Sequence, residues 1–407
     1  MKIFDELVGR GLVRQTTNEE KLRQMLDGDQ PVTFYIGFDP TADSLHVGHL
    51  LQVVTARRLV EAGHQAFMLI GDATARIGDP SGKSKSRPML SKDEIIANAQ
   101  GIEDQVRKLM PKDRVWFTQN SNWFRNINFL DFIQDIGSHF SVNTMLRAEC
   151  FKSRLDQGLS FLEFSYMLMQ GFDFFQLNEL FRCTLQIGGD DQWSNMLAGI
   201  DLIHKKTGRE AFALTLPLLT NTDGSKMGKT ERGAIWLKED GATSIVDFFQ
   251  FWRNLPDTEV LNCFRLLTFL SLEEIAAIPF TEVSDINAAK KRLAFEMTKL
   301  VHGLVAAEVT LEVAEALFES QDVSVLEPLS IADNMHVLDM LKECGFAKSR
   351  TDARNLIGNR GITINEEVLT DPTLVISKAQ FGFQLTVCKG KKHFRLLHIN
   401  KEPNAAT

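Results

Sequence analysis

Two short segments hold the residue types best suited to polyphosphate chemistry. The first runs Gly37-Phe38-Asp39-Pro40-Thr41 and continues as Ser44-Leu45-His46-Val47-Gly48-His49. His46 and His49 are three apart, so on a helix they share one face of the first turn. There they stand beside unpaired N–H groups and the positive end of the helix dipole, where phosphate binds. Gly48 between them has no side chain and lets a flat base or ribose approach the backbone. A bare H-x-G-H is more often an ordinary surface pair; its place directly after a strand of an α/β pattern is what gives it weight. The second segment is Asp223-Gly224-Ser225-Lys226-Met227-Gly228-Lys229-Thr230. Two lysines three apart in a glycine-punctuated loop can fold over a triphosphate and neutralise charge as pyrophosphate leaves, a positioning and electrostatic role. Glycines let such a loop move. It lacks the G-x-x-x-x-G-K spacing of a P-loop, and on its own it reads as a solvated surface loop.

The elements that must position these segments follow from hydrophobic patterning. Apolar runs at 32–38, 66–71, 115–118 and 184–189 read as buried strands. Between the first two, Leu50, Leu51, Val53, Val54, Leu59 and Val60 mark a helix that Gly63 stops. Strand, helix, strand is the grammar of a parallel α/β sheet, whose ligands bind beyond the carboxyl ends of the strands. Functional positions are therefore expected just after these strands. A Phe-rich helical stretch from 121 to 165 interrupts the alternation, either covering the sheet or forming a dimer surface; composition does not choose. From 221 to 318 the pattern is mostly helical, over Thr243–Leu255, Ser271–Ile278 and Ile286–Leu317, with Ser271 and Glu274 spaced as a capping box. Residues 319–336 have weak periodicity and a proline and read as a linker. A small α+β module follows at 337–407. No repeats or low-complexity tracts occur.

Composition bounds the rest. A chain of 407 residues with 44% hydrophobic content can bury a large core, which excludes a mostly disordered protein. Its net charge of −8 excludes a bulk-charge coat for nucleic acid, but residues 337–407 carry +4 and the remainder −12, marking the C-terminal module as a phosphate-binding candidate. Five scattered cysteines without a C-x-x-C pair favour free thiols in a reducing compartment over disulfides or a zinc site. The first residues lack an apolar signal core and no run is long enough to span a membrane, so a soluble cytoplasmic protein is expected. Phe occurs 29 times and Tyr only twice, at 35 and 166, so each tyrosine invites a specific question.

His46-Val47-Gly48-His49 with Lys226-Met227-Gly228-Lys229-Thr230 resembles the paired HIGH and KMSKS signatures of class I aminoacyl-tRNA synthetases. YIGFDPTADSLHVGHL, GDPSGKSKSR, EFSYMLMQGFDF and LQIGGDDQW narrow the resemblance to the bacterial tyrosyl-tRNA synthetases, over essentially the whole chain. It implies a Rossmann-like catalytic domain at 1–220, with the 121–165 insertion as dimer interface. An α-helical anticodon-recognition domain at 221–318 would include the KMGKT loop. The linker at 319–336 and a small RNA-binding domain at 337–407 complete the chain.

The resemblance also implies roles. Tyr35 and Asp173 would hydrogen-bond a substrate phenol, Tyr166, Gln170 and Asp79 its ammonium group, and Gln192 would lie near its carboxylate. Gly37, Asp39, Thr41, His46, Gly48, His49 and Asp191 match ATP, ribose or pyrophosphate contacts. Lys83, Arg87, Lys226, Lys229 and Thr230 match a mobile phosphate clamp. The implied substrates are L-tyrosine, ATP with Mg2+ and tRNA(Tyr), with no resident metal, no tightly bound cofactor, no membrane partner and a homodimeric state. A buried phenol needs a donor and an acceptor, and an ammonium needs acceptors and negative charge. Tyrosyl-tRNA synthetases are themselves the standard example of rejecting phenylalanine, by about 10^5-fold without editing, because a site built for a hydroxyl leaves polar groups unpaired when it is absent. In the C-terminal module, Ser349 with Asp352 reads as a helix start, Lys348, Arg350 and Arg354 as its basic rim, and Lys391 and Lys392 as a second basic point on a hairpin. This resembles a small RNA-binding fold of a ribosomal protein; the lysines alone read equally well as a solvated face.

Departures are few. Ile36 stands where many members have a ribose-contacting cysteine, Gln52 where they have threonine, and Asp190 where they usually have serine, which adds negative charge near the ribose or carboxylate site. Gly228 and Thr230 replace the serines of KMSKS, and Glu366 follows Asn365 where glycine is usual. The competing enzyme class is a coenzyme-type nucleotidyltransferase, which leaves the helical part and tail unexplained. An RNA-binding protein without catalysis predicts an eroded site, whereas both histidines and both lysines remain. A paralogue charging a tyrosine analogue stays open.

Overall fold

Strands buried on both faces dictate the central sheet. The computed structural model describes residues 1–400 apart from 82–89, 156–157, 221–223, 225–226, 231–232, 239–242, 319–327 and 391–392, with backbone only at 153–155, 229–230, 233, 317–318 and 393. The described chain forms two compact units, Met1–Leu304 and Val305–Thr407.

In the first unit six strands form one sheet: β1 (Gln15–Thr16), β2 (Thr33–Phe38), β3 (Gln65–Ile70), β4 (Val115–Gln119), β5 (Leu185–Gly189) and β6 (Phe212–Leu216). Every residue of β5 and β6 is buried, and so is Ala66 to Ile70 of β3. Such uninterrupted apolar runs belong to parallel sheets covered on both faces. The order is β1-β6-β5-β2-β3-β4, parallel throughout except for the antiparallel edge strand β1. Chain order runs outward in one direction from β2 and in the other from β5. The switch point therefore lies between β2 and β5, and the crevice beyond their carboxyl ends is where a ligand belongs.

The four strands read from sequence are present. β6 was not among them: its five residues are too short and uniformly apolar to carry a period, and Pro217 closes them at once. The helix after β2 spans Val47–Glu61, with Gly63 at φ 107° turning the chain into β3. In the helical stretch, Ser271 and Glu274 make the expected reciprocal cap. The expected continuous helix at 286–317 is instead two, Val283–His302 and Leu304–Phe318, broken by Gly303 at φ 91°. A further helix, Asp257–Leu267, buries Val260, Cys263, Phe264 and Leu267. Among the described residues all five cysteines are free, and no helix is long and apolar enough to cross a membrane.

The second unit closes its core with Val337, Leu341, Phe346, Ile357, Ile362, Val387 and Leu397 beneath a five-stranded sheet. Ser349 caps the helix Arg350–Gly358 by accepting from the Asp352 N–H, as its spacing suggests. Ile362–Ile364 and Glu367–Val368 pair as a hairpin whose two loop residues, Asn365 and Glu366, have φ of 48° and 71°. That left-handed pair is the geometry Asn-Gly serves best, and a glutamate there carries a Cβ penalty of about 1 kcal/mol. Glu366→Gly is expected to raise the stability of this unit by no more than about 0.5 kcal/mol, the relieved Cβ penalty being largely offset by the glycine's larger unfolded-state entropy. Urea unfolding monitored by amide exchange in the Ile362–Val368 hairpin checks this.

Candidate active site

A cavity of about 290 Å3 opens at the switch point, near the lower end of small-molecule sites, roughly 300 Å3. Its walls come from the end of β2, the start of the Val47–Glu61 helix, the end of β5 and the helix Phe161–Phe181. On that last helix Tyr166, Gln170 and Asp173 recur at i, i+4 and i+7, so all three project from one face. The face is fixed by a close crossing onto the helix Trp193–Thr207 at Gly171 and Gly199, where a Cβ on Gly199 would lie 3.1 Å from the Phe174 Cβ.

The mouth is built by the two histidines. His46 is the N-cap of its helix, and its Nδ1 accepts from the Gly48 N–H at 3.0 Å; the His49 Nδ1 accepts from the His46 N–H at 3.1 Å. The rings stack at 3.9 Å between centroids. An imidazole whose Nδ1 accepts is, when neutral, the Nε2–H tautomer, so each ring keeps a donor on Nε2. Gly48 has a reason beyond ligand access: a Cβ there would meet the His46 Cε1 at 2.8 Å. The second motif packs on this turn. The Met227 N–H donates to the Leu219 carbonyl, Gly228 sits at φ 80° with the Val47 Cβ 3.1 Å from where a side chain would begin, and Trp236 pairs with His46 backbone to backbone. The positive φ accounts for glycine where the resembling motif has serine. Lys229 and Thr230 form a two-residue strand with Gly233–Ala234.

Deeper in the cavity, carboxylates dominate. The Tyr166 hydroxyl donates to Asp39 Oδ2 at 2.8 Å, and Thr74 bonds Asp39 Oδ1 at 2.7 Å. Asp79 accepts from the Ser81 N–H at 3.0 Å and from Gln192 Nε2 at 2.6 Å. Asp173 accepts from Trp123 Nε1 at 2.8 Å and Asn120 Nδ2 at 3.1 Å, while a second Asn120 bond reaches Thr74. Burial pushes the Asp173 carboxyl well above the usual carboxylate range, the bonds from Asn120 and Trp123 only partly opposing it. Burial likewise raises Asp79, against the bonds from Ser81 and Gln192. Tyr35 and Tyr166 are pushed up first by burial and then by Asp173 and Asp39 respectively. Three buried oxygens lining this cavity, Tyr35 Oη, Gln170 Oε1 and Gln186 Oε1, have no hydrogen-bond partner. Buried orphans are rare in folded proteins, and three around one cavity mark where a ligand's polar atoms belong.

Of the residues expected from sequence, Tyr35, Gly37, Asp39, Thr41, His46, Gly48, His49, Asp79, Tyr166, Gln170, Asp173, Asp191 and Gln192 all line this one cavity. Lys83, Arg87, Lys226, Lys391 and Lys392 lie outside the described residues, as do the side chains of Lys229 and Thr230. Three readings change. Ile36 is buried in the β2–β3 ladder and does not line the cavity, whereas Gln52 does. Asp190 is not a cavity residue: its carboxylate accepts from Gln15 Nε2 at 2.6 Å and from the Thr215 hydroxyl at 2.8 Å. In the second unit, Lys348, Arg350 and Arg354 are all exposed, and Arg350 is not a lone cation of the rim: it forms a surface pair with Asp339 through two bonds, one of 2.8 Å. Sequence reasoning missed Thr74, Asn120, Trp123 and Gln186. The rule that ligands bind beyond strand ends could have found the first three, which follow β3 and β4 directly.

These features meet a matching family record. Residues 27–319 match the model of the class I tRNA synthetases (W and Y), and residues 315–397 match the C-terminal domain of the SYY-like tyrosine--tRNA ligases. The chain belongs to the class I tRNA synthetases. This synthetase is 46% identical over 404 residues to the tyrosine--tRNA ligase of Clostridium tetani, covering 98% of this chain and 99% of that one. It is 45% identical over 406 residues to that of Clostridium botulinum, with 98% and 99% covered. Among solved structures it resembles a C-terminally truncated mitochondrial tyrosyl-tRNA synthetase from Aspergillus nidulans, at a TM-score of 0.70 and 29% identity, covering 78% of this chain and 94% of that one. A tryptophanyl-tRNA synthetase from Encephalitozoon cuniculi shares the fold at a TM-score of 0.57 and 13% identity, with 76% and 89% covered.

The synthetase's pH response should report Asp173. Its folded-state pKa is raised above the unfolded value of about 3.9, so the stability it contributes is present at low pH and lost as pH rises through the folded pKa. Asp173→Asn removes that loss. The variant is expected to equal or exceed the unsubstituted protein in thermal stability at neutral pH, with a shallower decline between acid and neutral pH, while losing tyrosine binding. Thermal melts at several pH values check the sign.

Proposed function

We propose that this synthetase activates L-tyrosine with ATP and transfers it to the 3' end of tRNA(Tyr). In the first step a carboxylate oxygen of tyrosine attacks the α-phosphorus of ATP in line. The new carboxyl–phosphate bond forms as the bond to the β-phosphate oxygen breaks, giving tyrosyl-adenylate and pyrophosphate. In the second step the terminal adenosine of the tRNA attacks the activated carbonyl and AMP leaves. ATP enters as its Mg2+ complex, with the ion held mainly by phosphate oxygens.

The observation that carries the choice of amino acid is that an orphaned Tyr35 hydroxyl and the Asp173 carboxyl are both buried and both line the one cavity. Together they offer a donor and an acceptor. A phenol hydroxyl answers both, whereas the indole N–H of tryptophan only donates and the ring of phenylalanine does neither. Tyr166, Gln170 and Asp79 take the ammonium group, supported by the density of carboxylates around them. Gln192 lies toward the substrate carboxylate, and Gly37, Asp39, Thr41 and Asp191 meet the nucleotide. The Nε2–H donors of His46 and His49 stabilise phosphate charge as it develops, and Lys83, Arg87, Lys226, Lys229 and Thr230 close over the pyrophosphate. Catalysis is alignment plus charge stabilisation, with no side-chain nucleophile.

The helical part within 221–318 reads the anticodon, and the module at 337–407 holds tRNA through Lys348, Arg354, Lys391 and Lys392. A cytoplasmic homodimer forms through 121–165, where Phe129 is 65% exposed and Leu130 73% exposed.

Pyrophosphate exchange into ATP, run with each amino acid in turn, tests the reading: tyrosine alone should support it, and exchange driven by tryptophan or by no amino acid would overturn it. In single-turnover measurements His49→Ala should slow adenylate formation about 10^2-fold while tyrosine affinity stays within about twofold.

A further inference from the structure

The turn that carries Asp191 and Gln192 is tied down at both ends. It is a single 3-10 turn, Asp190–Gln192, between the last residue of β5 and the helix Trp193–Thr207. Its inner end is set by Gln192, whose Nε2 donates to Asp79 at 2.6 Å and whose Oε1 accepts from Asn195 at 3.2 Å. Its outer end is set by Asp190. One carboxylate oxygen accepts from Gln15 Nε2 at 2.6 Å and from the Thr215 hydroxyl at 2.8 Å, and Arg14 Nε lies 3.8 Å from the other oxygen. Thr215 is fully buried on β6, and its own oxygen accepts from the Gln15 N–H at 3.0 Å, so the hydroxyl donates one bond and accepts another. The edge strand β1, two residues long, is thereby joined to the site-bearing turn through side chains as well as to β6 through its backbone.

A three-residue turn has few bonds of its own and can rotate about its ends. Between them lies Asp191, close enough to Gly189 that a Cβ there would approach its Oδ1 to 2.9 Å. Serine, the residue usual here in the family, would present a neutral oxygen one bond shorter, unable to span to both Gln15 and Thr215.

We infer that Asp190 is a positioning residue that, through Gln15 and Thr215, fixes Asp191 and Gln192 for substrate, making the strand Gln15–Thr16 part of the framework of the active site. The inference rests on the reading above that Asp191 and Gln192 meet nucleotide and amino acid. Arg14 is peripheral, since an exposed pair at this distance contributes little.

The test uses the full chain with Asp190→Ala, Asp190→Asn and Gln15→Ala. In Asp190→Ala and Gln15→Ala, amide hydrogen exchange over 189–193 should quicken about tenfold in the unliganded protein, and in pyrophosphate exchange the KM for ATP and tyrosine should rise about tenfold with kcat within about threefold. Asp190→Asn keeps an acceptor oxygen and should restore both readouts to within about threefold. If Asp190→Ala does not fold, Gln15→Ala, which leaves the turn's sequence intact, decides. A lower thermal midpoint with unchanged KM values and unchanged exchange over 189–193 would reduce Asp190 to a structural tie and overturn the inference. Absence of tyrosine-dependent activity in the unsubstituted chain would count against the proposed function instead, and hydrogen exchange would still decide whether Asp190 holds the turn.

Discussion

The site depends on keeping carboxylates in a closed cavity whose described lining contains four aspartates and no lysine or arginine. Removing a carboxylate from water costs several kcal/mol unless it is hydrogen-bonded or meets a cation. The fold meets part of that cost with donors taken from separate elements: Trp123 and Asn120 on Asp173, Ser81 and Gln192 on Asp79, Tyr166 and Thr74 on Asp39. In the proposed reading, the substrate's ammonium group meets the part that falls on Asp79. The direction of the shifts agrees with this, because burial drives both Asp79 and Asp173 upward against the bonds that their donors make.

Around that pocket the geometry is set by caps and turns. His46 and His49 hold each other through backbone N–H groups, which fixes their tautomers before any ligand arrives. Met227, Gly228 and the stretch Ile235–Leu237 lie on the same helix turn, anchored by Met227 in the core and by backbone bonds from the Val47 N–H to the Ile235 carbonyl and from the Leu237 N–H to the Leu45 carbonyl. The two motifs are therefore packed directly on one another, with Gly228 against Val47 in the first turn of the helix.

How much of this was legible in the sequence follows from the range of each interaction. The parallel sheet, the helix after β2 and the capping box at Ser271 depend on periods and spacings within a few residues, and they are present. Tyr166, Gln170 and Asp173 share a helix face, so their convergence could be read from spacing once the helix was known. Two tyrosines against 29 phenylalanines also had meaning, since both line the cavity. What could not be read joins residues far apart in the chain. Asn120 and Trp123 reach Asp173 across about fifty positions, and Gln15 reaches Asp190 across 175. The sign of the Asp190 reading, toward the substrate or away from it, is decided by that last bond. Arg350 has the same lesson: its surface pair with Asp339, eleven residues away, is not visible in the sequence.

The central claim is that buried acceptors at the two ends of one cavity select an amino acid carrying both an ammonium group and a phenol. Calorimetric titration of the full chain with L-tyrosine, L-phenylalanine and 3-(4-hydroxyphenyl)propionate tests it most directly, because each analogue deletes one of the two groups. The account predicts binding of tyrosine, with each analogue weaker by at least about 10^3-fold. Affinity of either analogue within about tenfold of tyrosine would contradict it.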